Sequence, residues 1–201
     1  MATKLSTAEE RRPLVIAAAI TAFARMGYRG TTVADVGAEA RISSAYVFKL
    51  FPSKEQLFVG ALDACYDRVL EALARGAEQP ATQTPDGILD AMGGAYAELI
   101  ADRDLLMLQV HAQSAAEVPE IGAALRRGYA RITEFASSRS GATDASVQRF
   151  IAFGQLCHLV ATLGIDESGE RWAATLAAGI RHPDFASPAT PPAKPRKEVS
   201  S

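Results

Sequence analysis

Two cysteines and three histidines in 201 residues exclude several chemistries at the outset. Cys65 and Cys157 make neither a zinc spacing nor a disulfide framework. His111, His158 and His182 are scattered, with no HExxH pair and no carboxylate at ligand spacing, so neither a metal nor another cofactor is expected. A Gly-rich phosphate loop and a nucleophile elbow are both missing, and the expectation is that the chain is not an enzyme. Aromatic residues are 7% of the chain, and β-branched runs with period-two alternation are scarce, which argues against a sheet. The longest apolar stretch, Ile151 to Ile165, is interrupted by Gln155 and His158 and falls short of the ~20 residues of a spanning helix. With no charged-then-apolar leader either, the chain reads as cytoplasmic, without a membrane partner.

What the chain does have is alanine, leucine, arginine and glutamate, within a hydrophobic fraction of 48%. That is enough for a substantial core and favours helix almost throughout, so the fold class is all-α. Charge is uneven. The net charge is −2, yet the first sixty residues hold eight Lys/Arg against five Asp/Glu. A positive head on a negative body suits contact with a polyanion.

Caps divide the chain into about nine helices. The first starts after Ser6 or Thr7, carries the stripe Ile16, Ala19, Ile20, Phe23, and closes at Gly27. The second starts at Thr31 or Thr32. A third is capped by Ser43 and must end by Phe51, because Pro52 biases its predecessor out of helical geometry. Ser53 caps a long fourth helix reaching Gly76. After the Pro/Thr-rich break, helices are expected near 86–101, 103–115, 118–138, 143–164 and 168–181. The stretch "SPATPPAKPRKEVSS" is too rich in proline to fold. These readings give a head at 1–55, a helical body at 56–186 and a disordered tail at 187–201.

The second and third helices, joined through Ala40-Arg41-Ile42, have helix-turn-helix spacing. Ile42, Val47 and Phe51 anchor the third helix and leave Ser43, Ser44, Tyr46 and Lys49 for a groove. Lysine suits a phosphate or a guanine edge, hydroxyls suit phosphates or bases, and a phenol can donate to a phosphate. Thr32 and Ser53-Lys54 mark two further helix starts, whose amides attract phosphate. Short capped helices of this kind also occur in bundles that never touch nucleic acid.

The run "AAAITAFARMGYRGTTVADVGAEARISSAYVFKLFPSKEQLF" resembles the N-terminal DNA-binding domain of the TetR family of bacterial transcriptional regulators. The features shared from Ala17 to Phe58 are an A-x3-F first helix, Gly27-Tyr28 with Gly30-Thr31-Thr32, Asp35-Val36-Gly37, and F-P-S-K-E-x-L from Phe51 to Leu57. The resemblance implies contacts to double-stranded operator DNA from Thr32, Ser43, Ser44, Tyr46, Lys49 and Lys54. Three positions depart from the family pattern: Arg41, where glycine is common; Ala45, where glycine or proline is; and Phe48, where tyrosine is.

The resemblance further implies a C-terminal domain that encloses a small effector and dimerises through its last two long helices. Met92, Tyr96, Leu99, Met107, Gln109, His111, Gln113, Tyr129 and Phe153 are the candidate lining for a hydrophobic or amphipathic effector. Phe150, Gly154, Cys157, Ala161, Trp172 and Leu176 are the candidates for the homodimer contact, because helix 143–164 is apolar nearly all round and needs burial on two sides. The expected function is a ligand-responsive repressor on a pseudo-palindromic operator. The alternative is a helical ligand-binding or interaction protein that has lost DNA recognition; a small helical enzyme would need Gln109, His111 or Tyr129 to carry it.

Overall fold

Each sequence cap within the described chain starts a helix. The computed structural model describes residues 8–179; Ser6, Thr7, His182 and the proline-rich tail lie outside them. Thr32, Ser43 and Ser53 cap α2 (Val33–Glu39), α3 (Ser44–Leu50) and α4 (Lys54–Glu78), each accepting a backbone amide three residues on. Helix α1 covers Ala8–Gly30. Its expected stop at Gly27 is a bend instead: this residue sits at φ 67°, ψ −179°, and the chain resumes a last turn beyond it. Then follow α5 (Pro85–Leu99), α6 (Arg103–Ser114), α7 (Pro119–Ser140), α8 (Asp144–Leu163) and α9 (Arg171–Ala177). Among the described residues no strand occurs, and no helix is long and apolar enough to cross a membrane.

The final helix is shorter than the expected 168–181. A 3-10 turn at Ile165–Glu167 and the left-handed Gly164 take up the preceding residues, and Ala178 leaves helical geometry. Thr84, rather than Asp86, sets the start of α5, because its hydroxyl accepts the amide of Gly87 while Pro85 occupies the first turn, where a missing N–H costs nothing.

Helix α4 runs through the middle, packed on α1 at its start and on α5 and α7 further along. Leu57, Phe58, Ala61, Leu62 and Cys65 are fully buried there. One continuous apolar core runs from Val15 to Ala161. The pair α2–α3 rests on this base through Val33, Val36 and Val47. Gly37 permits the close crossing of α2 and α3, since a β-carbon there would meet the Ile42 carbonyl oxygen at 2.9 Å.

Candidate nucleic-acid interface and effector cavity

Helix α3 turns Val47 fully inward and leaves Ser44, Ala45, Phe48 and Lys49 exposed, with Tyr46 half-buried. Positions 44, 45, 48 and 49 recur at helical spacing, so they form one face opposite the anchor. Ser43 Oγ accepts the Tyr46 amide at 3.2 Å, which leaves its proton to give elsewhere. Phe48 is 47% exposed, a large apolar ring held out toward solvent on the face opposite Val47. Sequence reasoning registered only its missing hydroxyl; the exposed ring has the chemistry that would suit thymine methyl groups in a groove.

The two flanking helix starts are less open than their sequence suggests. Thr32 forms a complete capping box with Asp35: its hydroxyl donates to the carboxylate at 2.7 Å and accepts the Asp35 amide at 3.2 Å, and its own amide bonds the same carboxylate at 2.7 Å. The Thr32 hydrogen bonds hold the Asp35 carboxyl below its usual range, so a negative charge sits at this helix start. Lys54 lies with its ammonium 4.5 Å from the centre of the Tyr28 ring. The Tyr28 hydroxyl donates to Glu55, and burial, then Glu55, push it up to about 12. Lys49, by contrast, has no hydrogen bond or ion pair among the described residues.

Arg41 occupies the turn between α2 and α3 at φ 56°, a left-handed conformation that only glycine adopts freely. This is the position where the resemblance finds glycine in other chains. The turn is held by the Ile42 amide donating to Gly37 O at 2.9 Å.

A cavity of about 470 Å³ opens among α4, α5, α7 and α8. Val69, Leu73, Leu89, Ile132 and Phe150 supply its apolar walls. Of the nine residues proposed to line an effector site, Tyr96, Gln109, Tyr129 and Phe153 do so. Met92 is fully buried in the core, Leu99 packs on it, Met107 is half-buried, and His111 faces α1 at Gly27. Gln113 is exposed behind Tyr129. Three residues assigned to a dimer contact, Phe150, Gly154 and Cys157, line the cavity; the apolar pattern of α8 did not say which of its sides faces the interior of the chain.

Two hydrogen-bonded chains stand at the cavity wall. Gln109 Nε2 donates to Leu105 O at 3.1 Å, so its oxygen is the atom facing the Tyr96 hydroxyl, also at 3.1 Å. Tyr96 gives its proton there, and its oxygen then accepts from His158 Nε2 at 2.5 Å. Burial lowers the His158 pKa to about 4, and Nδ1 is buried without a hydrogen-bond partner. In the second chain the Tyr129 hydroxyl accepts from Gln113 at 3.2 Å and from Gln155 at 2.8 Å. Both cysteine thiols are pushed up by burial, Cys65 to about 12 and Cys157 to about 11, so neither is a thiolate near neutrality.

The remaining dimer candidates divide. Ala161 is buried, Leu176 packs with Val160, Ile165 and Ala173, and Trp172 is 52% exposed. Phe153, Leu159 and Leu163 join Trp172 as the large apolar side chains that α8 and α9 leave in solvent.

Comparison with known proteins places this geometry among others. Residues 15–61 match the model of bacterial regulatory proteins, tetR family. Over 106 residues the chain is 28% identical to the uncharacterised HTH-type transcriptional regulator YuxN of Bacillus subtilis; the match takes in 51% of this chain and 35% of that protein's length. Among solved structures, a TetR-family transcriptional regulator from Agrobacterium tumefaciens superposes with a TM-score of 0.65 at 20% identity, over 86% of this chain and 94% of that one. A TetR-like regulator from Rhodococcus sp. RHA1 gives 0.62 at 22%, over 86% and 94%. FadR from Bacillus subtilis, solved in complex with stearoyl-CoA, gives 0.59 at 16%, over 84% and 99%.

Proposed function

Because this chain belongs, through its N-terminal domain, to the tetR family of DNA-binding bacterial regulatory proteins, we propose that it is a homodimeric repressor released from a pseudo-palindromic operator by an amphipathic effector. The observation that carries this reading is α3: a helix anchored by Val47 whose opposite face offers Ser44, Phe48 and an unengaged Lys49 to a major groove. Ser43 and Tyr46 stand beside that face, and Thr32 and Lys54 lie at the neighbouring helix starts. In this reading residues 1–55 read DNA, and 56–186 bind the effector and dimerise.

Dimerisation rests on the exposed apolar group Phe153, Leu159, Leu163 and Trp172. Two heads on a two-fold axis would face half-sites about 34 Å apart, one turn of DNA. The cavity suits a ligand with an apolar body and one polar group facing the Tyr129 and Gln109 side chains that line it. Helix α6 supplies Gln109 to the cavity while packing against α1 of the head, so a ligand that moves α6 changes the head. A coupling of about 1 to 3 kcal/mol between the two sites is enough for a five- to 150-fold change in DNA affinity.

Gel-shift titration against the DNA flanking its own coding region tests this. A tight, sequence-dependent shift, lost together with the dimer in Leu163→Asp, is the expected result. Weak, salt-labile binding to any duplex would favour instead a helical ligand-binding protein, the reading that the internal engagement of Thr32 and Lys54 supports.

A further inference from the structure

Helix α3 is only seven residues long and buries just one of them, Val47, so what holds its far end matters to its orientation. It ends at Phe51 in extended geometry (φ −134°, ψ 101°), with no left-handed glycine and no side-chain cap of its own to satisfy the last carbonyls. The carbonyl of Leu50 is taken up from a distance: Arg12 of α1, 38 residues earlier, donates Nη1 to it at 2.9 Å. The same guanidinium lies over the Phe51 ring, 4.1 Å from its centre. Phe51 is 2% exposed. Its ring lies where a β-carbon on Gly60 of α4 would come within 3.1 Å, and the end of Ile16 approaches the same point at 2.9 Å. The ring is thus held by α1 and α4 while Arg12 covers it from outside.

We propose that Arg12 is a positioning residue for DNA reading: it clamps the C-terminal end of α3 and thereby sets the angle at which Ser44, Phe48 and Lys49 meet the groove. This rests on the DNA-reading function proposed above. Three physical effects act together at one planar group. A charged donor satisfies a carbonyl that α3 leaves orphaned. A full positive charge stands at the negative end of the helix dipole. The flat face of the guanidinium stacks on the aromatic ring. Lysine reproduces the charge but not the combination, because an ammonium on a flexible stem has no plane to lay on Phe51 while its donor reaches Leu50. Arg12 is exposed, so substituting it leaves the core untouched.

A plain phosphate contact is the rival role for an exposed arginine, and the two separate cleanly. The test uses a duplex enriched from a randomised pool by the unmodified protein, a scrambled duplex of the same length, and the variants Arg12→Gln and Arg12→Lys. For a clamp, both variants lose about tenfold in affinity for the enriched duplex, the equivalent of one charge-assisted hydrogen bond. Binding to the scrambled duplex and the slope of log K against log salt stay as they were. Amide hydrogen exchange in free Arg12→Gln quickens in α3 and stays unchanged in α2. A phosphate contact gives the opposite: equal losses on both duplexes, a slope smaller by about 0.9, and recovery in Arg12→Lys. That pattern, or unchanged exchange in α3, overturns the clamp. Failure of the unmodified protein to enrich any sequence overturns the DNA-reading function itself, and the clamp's purpose with it.

Discussion

The imidazole of His111 closes on the backbone of Gly27: a β-carbon at residue 27 would lie 3.0 Å from Nδ1 and 3.2 Å from Cγ. This contact ties the bend in α1 to α6, and the Thr21 hydroxyl, donating to Asp104 at 2.7 Å, ties the same two helices one end further along. The bend also presents Tyr28 to Phe58, with ring centroids 5.4 Å apart, and to Lys54. Thus the geometry at the start of α4 depends on a residue whose backbone angles suit glycine alone.

Gly27→Ala is expected to lower stability to urea by about 2 to 3 kcal/mol, combining a forbidden backbone region with a side-chain collision. The double variant with His111→Ala separates the two. Relief of the collision returns only a minor part, because the backbone cost remains. If Gly27→Ala alone unfolds at the same urea concentration as the parent, the backbone argument is wrong.

Arg41→Gly should act in the opposite direction. The left-handed conformation at φ 56° costs an arginine roughly 1 to 2 kcal/mol; glycine removes that cost but gains freedom when unfolded, so the net expected gain is about 0.5 to 1 kcal/mol. In a domain of this size that raises the melting temperature by about 2 °C. Arg41→Val, with a branched β-carbon in the same place, should lower it. Scanning calorimetry on the two variants decides the matter, and a drop in both would place the origin elsewhere than in the backbone.

Caps were legible in the sequence because they are local: Thr32, Ser43 and Ser53 each need only an amide three residues away. The anchors of α3 were legible for the same reason, as Val47 and Phe51 share one helical face. Two kinds of feature were not. Gly27 reads as a stop because its positive φ is typical of helix ends, whereas its ψ of −179° lets the chain bend and resume. Long-range pairings left no sequence signal at all: nothing local joins Arg12 to Leu50, or His111 to Gly27. Helix α8 illustrates the middle case, where an apolar pattern nearly all round did not separate Phe150 and Gly154 on the cavity side from Phe153, Leu159 and Leu163, which are exposed.

The basic residues of the head should contribute unequally to binding. Lys49 is exposed and unengaged, so Lys49→Ala is expected to weaken specific binding and reduce the salt slope by about 0.9. Lys54 already rests on Tyr28 beside the carboxylates of Asp35 and Glu55; Lys54→Ala should change the slope by less than half of that. Phe48→Tyr adds a hydroxyl at the exposed end of the reading face and should strengthen binding to all duplexes alike, at the cost of discrimination. Titrations at four salt concentrations with matched and scrambled duplexes measure each effect, and equal slopes for Lys49→Ala and its parent would remove Lys49 from the contact set.

His158 should make stability depend on pH in a defined window. Burial lowers its pKa from 6.5 to about 4, so between those values the unfolded chain binds a proton that the folded chain refuses. Stability therefore falls as pH drops from 6.5 towards 4 and is fully present above 6.5. A separation of this size corresponds to about 3 kcal/mol at its lower limit. The carboxylates of exposed Asp35 and half-buried Glu55, whose pKa values are lowered by their hydrogen bonds, act in the same direction but only as pH falls through the ordinary carboxylate range and below. The upper part of the window thus belongs to the imidazole. His158→Gln keeps a side-chain N–H for Tyr96 and does not titrate, so its unfolding free energy should be flat from pH 6.5 to 5 where the parent's declines. Parallel slopes for the two proteins would show that the proton is taken up elsewhere.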